Sequence, residues 1–292
     1  MSSTLRRRQA LWGYAFLTIP LVYFLAIYVY PMVQAFRFSF LDYRTLATAR
    51  PFNGLHNYRT LFTLDDFWNG MWNTARYAIV RAPAVLVVSL ITALALQRIV
   101  TGRETLRTIL MLPFVTSEVA LAWLFKFIYF KSGPVGLALA AMGVKQPQLL
   151  LNPATALYAI SAVAVWASIG YYALLYTVGL NAIPDHLYDA AKVDGASAWQ
   201  VFRRITLPLL NPTIVLLSVI AVTASLKNFA MVRNMTDGGP IGSTLTLPLL
   251  IYRYAFYNLK MGIAAGMTVV FFIMILLITW VQLRVMQRQV EY

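Results

Sequence analysis

The sequence predicts an all-α membrane protein with six transmembrane helices, and three observations carry that prediction. Sixty per cent of the 292 residues are hydrophobic and only 12% are charged, against about 25% charged in soluble domains. The apolar residues fall into six runs, each near the roughly 20 residues a helix needs to cross a hydrocarbon core. Polar and apolar residues do not alternate within the runs, as they would in the strands of a membrane barrel. A backbone in lipid that is not in a closed barrel must be helical to satisfy its own hydrogen bonds.

The runs cover residues 11–36, 74–96, 109–129, 154–180, 213–229 and 263–285. The first contains Pro20 and Pro31 and follows Arg6-Arg7-Arg8. It is too long for the apolar stretch of a signal peptide, and no small-residue cleavage site comes before Pro31, so it is expected to stay as a span. None of the runs shows a midspan break, and there is no internal repeat or low-complexity tract, so 1–292 is expected to be one transmembrane domain. Arg6, Arg7 and Arg8, with Arg98, Arg103 and Arg107 crowding the second short loop, place the N-terminus in the cytoplasm. The total of Lys and Arg is level between the two sides, because Arg37, Arg44, Arg50, Arg59, Arg76 and Arg81 gather around the first outer loop. With six spans the C-terminus is cytoplasmic too, as is the Asn181–Asn211 loop. Asp42–Asn73 and Met231–Lys260 then face outward.

The formal net charge is +14. No basic stripe or nucleic-acid motif accompanies it, and its short clusters between spans suit anionic lipid headgroups instead. There is no cysteine, hence no disulfide framework and no thiolate metal site. His186 stands alone and makes no metal site. No Gly-x-x-x-x-Gly-Lys-Ser/Thr phosphate loop occurs, so the chain is not an ATPase and no catalytic residue is expected.

The 181–211 loop carries the most information. It is expected to form two short helices at an angle. Pro184 suits a first helical turn, and Asp185 and Asp189 lie near its positive end. Gly195 can adopt the left-handed conformation that stops a helix. Ser197 and Gln200 make a capping box for a second helix, and Pro208 restricts Leu207 and marks its expected end. Leu187, Ala190, Ala191 and Asp194 share one face of the first helix, where two alanines would allow close approach to another surface.

Asp189-Ala190-Ala191, then Gly195, then nine residues to Ile205-x-Leu207-Pro208, resembles the EAA coupling motif of ABC importer permeases. Asp189 stands for the family's Glu, one methylene shorter. Asn53–Tyr58, Phe67–Thr74, Leu106-Arg107-Thr108 through Leu112-Pro113, and Thr236–Pro240 also look like stretches of the carbohydrate-uptake branch, in the same order. The resemblance implies a type I importer permease in the bacterial inner membrane. Its implied partners are a second homologous permease, two ATPase subunits that hold ATP and Mg, an extracytoplasmic solute-binding protein and lipid. No cofactor is bound by the chain itself. Asp189, Ala190, Ala191, Asp194, Gly195, Ile205, Leu207 and Pro208 would couple it to the ATPase.

Polar residues within spans are costly and face cavities or neighbouring helices, which singles out Glu118, Lys227 and Asn228 as substrate-pathway candidates. Trp166, Tyr171 and Tyr172 join them, because aromatic faces stack on sugar rings and equally pack helices. Lys126 is expected to snorkel. A related permease for glycerol phosphate or another small solute differs only in cavity lining, where a phosphate would want Arg or Lys. An ion-coupled secondary transporter would show repeats and broken helices, and a membrane scaffold would need only the docking loop.

Overall fold

The computed structural model describes residues 3–143 and 148–286. Among them every regular element is helical, apart from an isolated bridge between Leu41 and Phe52. In chain order the first elements are α1 (Ser3–Phe24), α2 (Tyr30–Ser39), α3 (His56–Phe62), α4 (Asp65–Arg98), α5 (Arg103–Val115) and α6 (Glu118–Ile128). Then come α7 (Pro134–Ala141), α8 (Ala156–Asn181), α9 (Asp185–Val193), α10 (Ala198–Val201) and α11 (Leu207–Leu209). The last are α12 (Asn211–Leu226), α13 (Ala230–Met235), α14 (Leu247–Tyr252) and α15 (Met261–Met286). Among the described residues five stretches are long and apolar enough to span a membrane: Leu11–Ser39, α4, α8, Asn211–Met235 and α15.

The third span corrects an expectation. The 109–129 run is not one straight helix: α5 and α6 meet at 92°. Thr116 and Ser117 are extended (ψ 144° and 126°). The Thr116 hydroxyl donates to the Leu112 carbonyl at 2.8 Å, a local bond that competes with helix continuation. Glu118 opens α6, where an acid suits the positive helix end. At this position a break is tolerable only if the exposed backbone lines a cavity or is buried in protein.

Pro208 does not end its helix, contrary to the expectation. The turn before it widens into a π-helix at Phe202–Thr206 and the chain continues through α11 into α12. Leu207 N–H reaches back to the Phe202 carbonyl, five residues away. A proline ring collides with the carbonyl four residues earlier, and a π turn moves that carbonyl aside. The same device stands two residues before Pro31, where Leu25–Val29 is π-helical and Tyr30 N–H bonds to Leu25.

The chain divides into two compact units, one of residues up to Leu64 with Ile251–Phe272, the other of Asp65–Leu250 with the chain from Ile273 onward. In the first, Asn57 Nδ2 donates to the carbonyls of Ser39 and Leu41, each at 2.8 Å, and Tyr58 Oη donates to Ser39 Oγ at 2.7 Å. Residues Leu11–Phe24 are all exposed, as a lipid-facing or partner-facing helix would be.

In the second unit α8 is the central element. It buries Ala159, Ala164, Ala167, Ser168, Gly170 and Ala173, small residues that let helix backbones approach closely where lipid removes the hydrophobic drive. A Cβ on Gly170 would collide with the Leu110 carbonyl of α5. At the far end of α4, Asn73 Nδ2 donates to the carbonyls of Gly242 (2.8 Å) and Leu245 (3.2 Å). Thr74 Oγ1 accepts the Leu247 N–H at 2.8 Å. These bonds hold the 242–247 loop and start α14.

Gly170→Leu should destabilise the purified protein by at least the roughly 1–3 kcal/mol typical of overpacking, because the clash is with backbone. Thermal unfolding in detergent measures this; an unchanged midpoint would show that α5 and α8 do not meet there.

Candidate functional site

Behind the break in the third span lies a cavity of about 230 Å³, wholly within the second unit and lined by Arg81, Phe114, Glu118, Ser168, Lys227 and Asn228 among others. Five elements, α4, α5, α6, α8 and the end of α12, bring these groups together. Arg81 projects from α4. Its Nη2 donates to Ser168 Oγ on α8 and its Nη1 to Ser225 Oγ on α12, both at 2.9 Å. Glu118 enters at the start of α6. Its carboxylate accepts from Asn228 Nδ2 at 3.1 Å and from the Met231 backbone. The break therefore aims a carboxylate into the bundle instead of along a helix side.

Arg81 is 7% exposed, and its guanidinium attracts Glu118 across the cavity without a direct ion pair between them. A buried charge needs partners and hydrogen bonds, and two serine hydroxyls with a facing carboxylate provide them. The Arg81 Nε and Asn228 Oδ1 have no hydrogen-bond partner. Lys227 is exposed where α12 ends. Phe114 presents an aromatic face, stacked from behind by Tyr171 at 4.3 Å and 9°.

The structure thus unites three predicted pathway residues, Glu118, Lys227 and Asn228, and sets the other three outside the lining. Trp166 packs against Phe125 at 5.1 Å. Tyr171 buttresses Phe114, and Tyr172 is 2% exposed, inside the core. Sequence reasoning missed Arg81 by assigning it to the outer loop. Its signal was plain: a lone arginine between Val80 and Ala82, within the second apolar run. Lys126 reaches the Asn234 carbonyl at 3.4 Å and lies over the Trp123 ring at 4.7 Å. A larger hollow of about 670 Å³ beside Tyr129, Phe130 and Leu137 has a mostly apolar wall, with Lys126, Lys131 and Asp237 among its lining residues.

The second feature is the elbow between α8 and α12. Helix α9 starts at Asp185, with Pro184 as its cap. It ends in a Schellman turn: Ala196 N–H bonds to the Ala191 carbonyl (2.9 Å) and Gly195 N–H to Lys192 (3.1 Å), with Gly195 at φ +69°. These are the two bonds that motif requires. The Ser197–Gln200 capping box is formed, and Tyr188 Oη bonds Thr206 Oγ1 at 3.3 Å across the two helices. One detail differs from the expectation. Ala191 is buried, while Ala190, Asp189, Asp194 and Gly195 are exposed. The outer face therefore includes Asp185, His186, Asp189, Ala190, Lys192 and Val193, and only one alanine is available for close approach. Ile205 is half-buried, and Leu207 and Pro208 are exposed. Lys192 Nζ donates to Asp189 Oδ1 at 2.9 Å, which raises the lysine's pKa above its ordinary value.

A polytopic helical bundle with a polar, charged cavity and a structured elbow between two spans defines the class of a membrane permease. The chain belongs to the family described as binding-protein-dependent transport system inner membrane component, whose model matches residues 3–290. It is a permease, not an enzyme. It is 31% identical over 287 residues to the trehalose/maltose transport system permease protein MalF of Thermococcus litoralis, covering 98% of this chain and 97% of that one. It is 30% identical over 280 residues to the multiple sugar-binding transport system permease protein MsmF of Streptococcus mutans, covering 95% and 96%. Its fold matches a chain of a bacterial alginate ABC transporter solved in complex with an alginate pentasaccharide-bound periplasmic protein. That match has a TM-score of 0.83 at 23% identity and covers 97% of this chain and 98% of that one.

Arg81→Met should cost about 1–3 kcal/mol, the penalty for orphaning buried hydroxyl partners. Combined with Glu118→Gln, a double-mutant cycle should give a coupling of about 0.5–3 kcal/mol. Strict additivity in thermal unfolding would mean the two charges do not share a field.

Proposed function

We propose that this chain is the membrane-spanning translocation subunit of an ATP-driven importer for a sugar or sugar-like solute. Family membership over nearly the whole chain carries this reading, and the relatives' names supply the solute class. The 230 Å³ cavity is the solute's station. Glu118, Asn228 and Arg81 provide the mixed donors and acceptors that hydroxyls need, and Phe114 provides a stacking face.

The elbow is the coupling element. Its exposed apolar residues, Val193 at 89% and Trp199 at 67% exposure, flanked by Asp185, Asp189 and Asp194, seat in a groove of a cytoplasmic ATPase subunit. Asp189, Ala190, Ala191, Asp194, Gly195, Ile205, Leu207 and Pro208 shape that seat. Ala191, Ile205 and the Schellman turn fix its angle from within. The chain pairs with a second permease, two ATPase subunits carry ATP and Mg, and an external binding protein delivers solute. Both termini lie in the cytoplasm. Closure of the ATPases moves the elbow, and the bundle switches between two packed states as a rigid body, driven by contacts that differ between those states.

The absence of native cysteine makes topology directly testable. Val193→Cys should resist an impermeant maleimide in intact cells and react after permeabilisation, whereas Leu46→Cys, 83% exposed, should react in intact cells. Labelling of residue 193 from outside would overturn the topology and the ATPase contact with it.

Gly195→Val forces a branched side chain into the left-handed region, at about 1–2 kcal/mol. It should sharply reduce solute-stimulated ATP hydrolysis by the assembled complex, and Gly195→Asn should retain more of it. Normal stimulation in the valine variant would remove the elbow from the mechanism.

A further inference from the structure

The charges around the cavity do not balance. Two cations, Arg81 and Lys227, face one anion, Glu118, among the lining residues. Arg81 has both terminal nitrogens tied to Ser168 and Ser225, keeps only its Nε for a solute hydroxyl, and has its charge balanced across the cavity by Glu118. Glu118 is in turn held by Asn228. That leaves Lys227, which is exposed and whose side-chain ammonium has no hydrogen-bond or ion-pair partner among the described residues. The neighbouring Asn228 is 8% exposed, and its Oδ1 has no partner either. A cation within a membrane bundle is expensive unless something answers it, and here a polar atom with spare capacity lies next to it in sequence.

A groove in the other unit shows the same bias. Its volume is about 800 Å³, and Arg37 and Arg50 line it with no Asp or Glu among the lining residues. Arg50 lies over the Tyr43 ring at 3.9 Å. Both hollows thus carry an excess of positive side chains among their lining residues, although a neutral sugar in the cavity would need no net charge there.

We propose that the solute is an anionic saccharide, carrying a carboxylate or phosphate that pairs with Lys227. Its hydroxyls meet Glu118 and Asn228, and its ring lies against Phe114. The cavity has room for about one sugar ring, so a single charged unit is read at a time. This rests on the cavity being the translocation station and adds the charge of what it takes. A lysine contributes a mobile point charge, which accommodates either a carboxylate or a phosphate.

The test uses the complete importer in nanodiscs without the solute-binding protein, so that the permease's own preference is read. The probes are methyl glucuronide, glucose 1-phosphate and methyl glucoside, with weak binding followed by saturation-transfer NMR. At least one charged probe should bind about tenfold or more tightly than methyl glucoside, and added salt should narrow the gap. The preferred charged probe distinguishes carboxylate from phosphate. Lys227→Met should weaken charged-probe binding about tenfold, the value of one charge-assisted contact, and Lys227→Arg should restore most of it. Equal binding of glucoside and charged probes, or unchanged charged-probe binding in Lys227→Met, would overturn the proposal. ATP-driven uptake of a neutral sugar in proteoliposomes, with no charged probe bound, would overturn it while leaving the importer reading intact. Absence of uptake for every saccharide, charged or neutral, would count against the importer reading itself.

Discussion

A backbone amide or carbonyl in hydrocarbon has no water to turn to, and this constraint shapes the protein. Most of each span meets it by being an unbroken helix. Where the helix is disturbed, the disturbance is contained. Before Pro31 and Pro208 the chain widens by a π turn, so that the next N–H reaches five residues back. At Thr116–Ser117 the helix opens completely, and the opening coincides with the polar cavity. The irregular backbone, the carboxylate of Glu118 and the guanidinium of Arg81 therefore support one another. A charged group inside the bundle needs the break, and the break needs a place that is not lipid.

The cavity and the elbow are joined by the same two helices. Helix α8 brings Ser168 to Arg81 and then runs into the elbow at Ile183. Helix α12 leaves the elbow at Asn211 and brings Ser225 to the same guanidinium. With a rise of about 1.5 Å per residue, α12 links the two features over about 24 Å as one stiff rod. Leu180, Ile183, Leu210 and Leu217 are buried in a common apolar cluster with Tyr172 and Tyr176, which locks the ends of both rods together. Residues 182–184 join α8 to α9, and the π turn Phe202–Thr206 and α11 lead into α12, so only short connections separate the elbow from the hydrogen bonds of Arg81. In the proposed importer this connection would carry nucleotide-driven movement to the cavity.

Much of this was legible in the sequence, for identifiable reasons. Span positions follow from hydropathy, which is a property of the chain and not of its partners. The elbow was legible because its turns are local: Gly195, Ser197 and Gln200 specify a Schellman turn and a capping box within a few residues of one another. The break in the third span was missed because Pro113, Thr116 and Ser117 sit in a strongly apolar run, and each alone is compatible with a continuous helix. Pro208 was misread because a proline may be absorbed by a π turn or end a helix, and the choice depends on packing; Pro83 sits within α4 with neither. Glu118 lacked a visible partner because its partners, Asn228 and Met231, are more than a hundred residues away. Arg81 was visible but assigned to the wrong neighbourhood. Which face of α9 points inward was decided by contacts with Thr206 and the span ends, which periodicity does not encode.

The most direct test of the account is the reactivity of a single cysteine in the cavity wall. Ala224 is exposed and lines the cavity, and Ala224→Cys adds only a thiol. In the assembled importer with its binding protein, an impermeant reagent added from outside should reach residue 224 when a non-hydrolysable ATP analogue occupies the ATPase subunits. Without nucleotide it should not. Identical external reactivity in the two states would contradict the claim that this cavity changes sides under the control of the elbow.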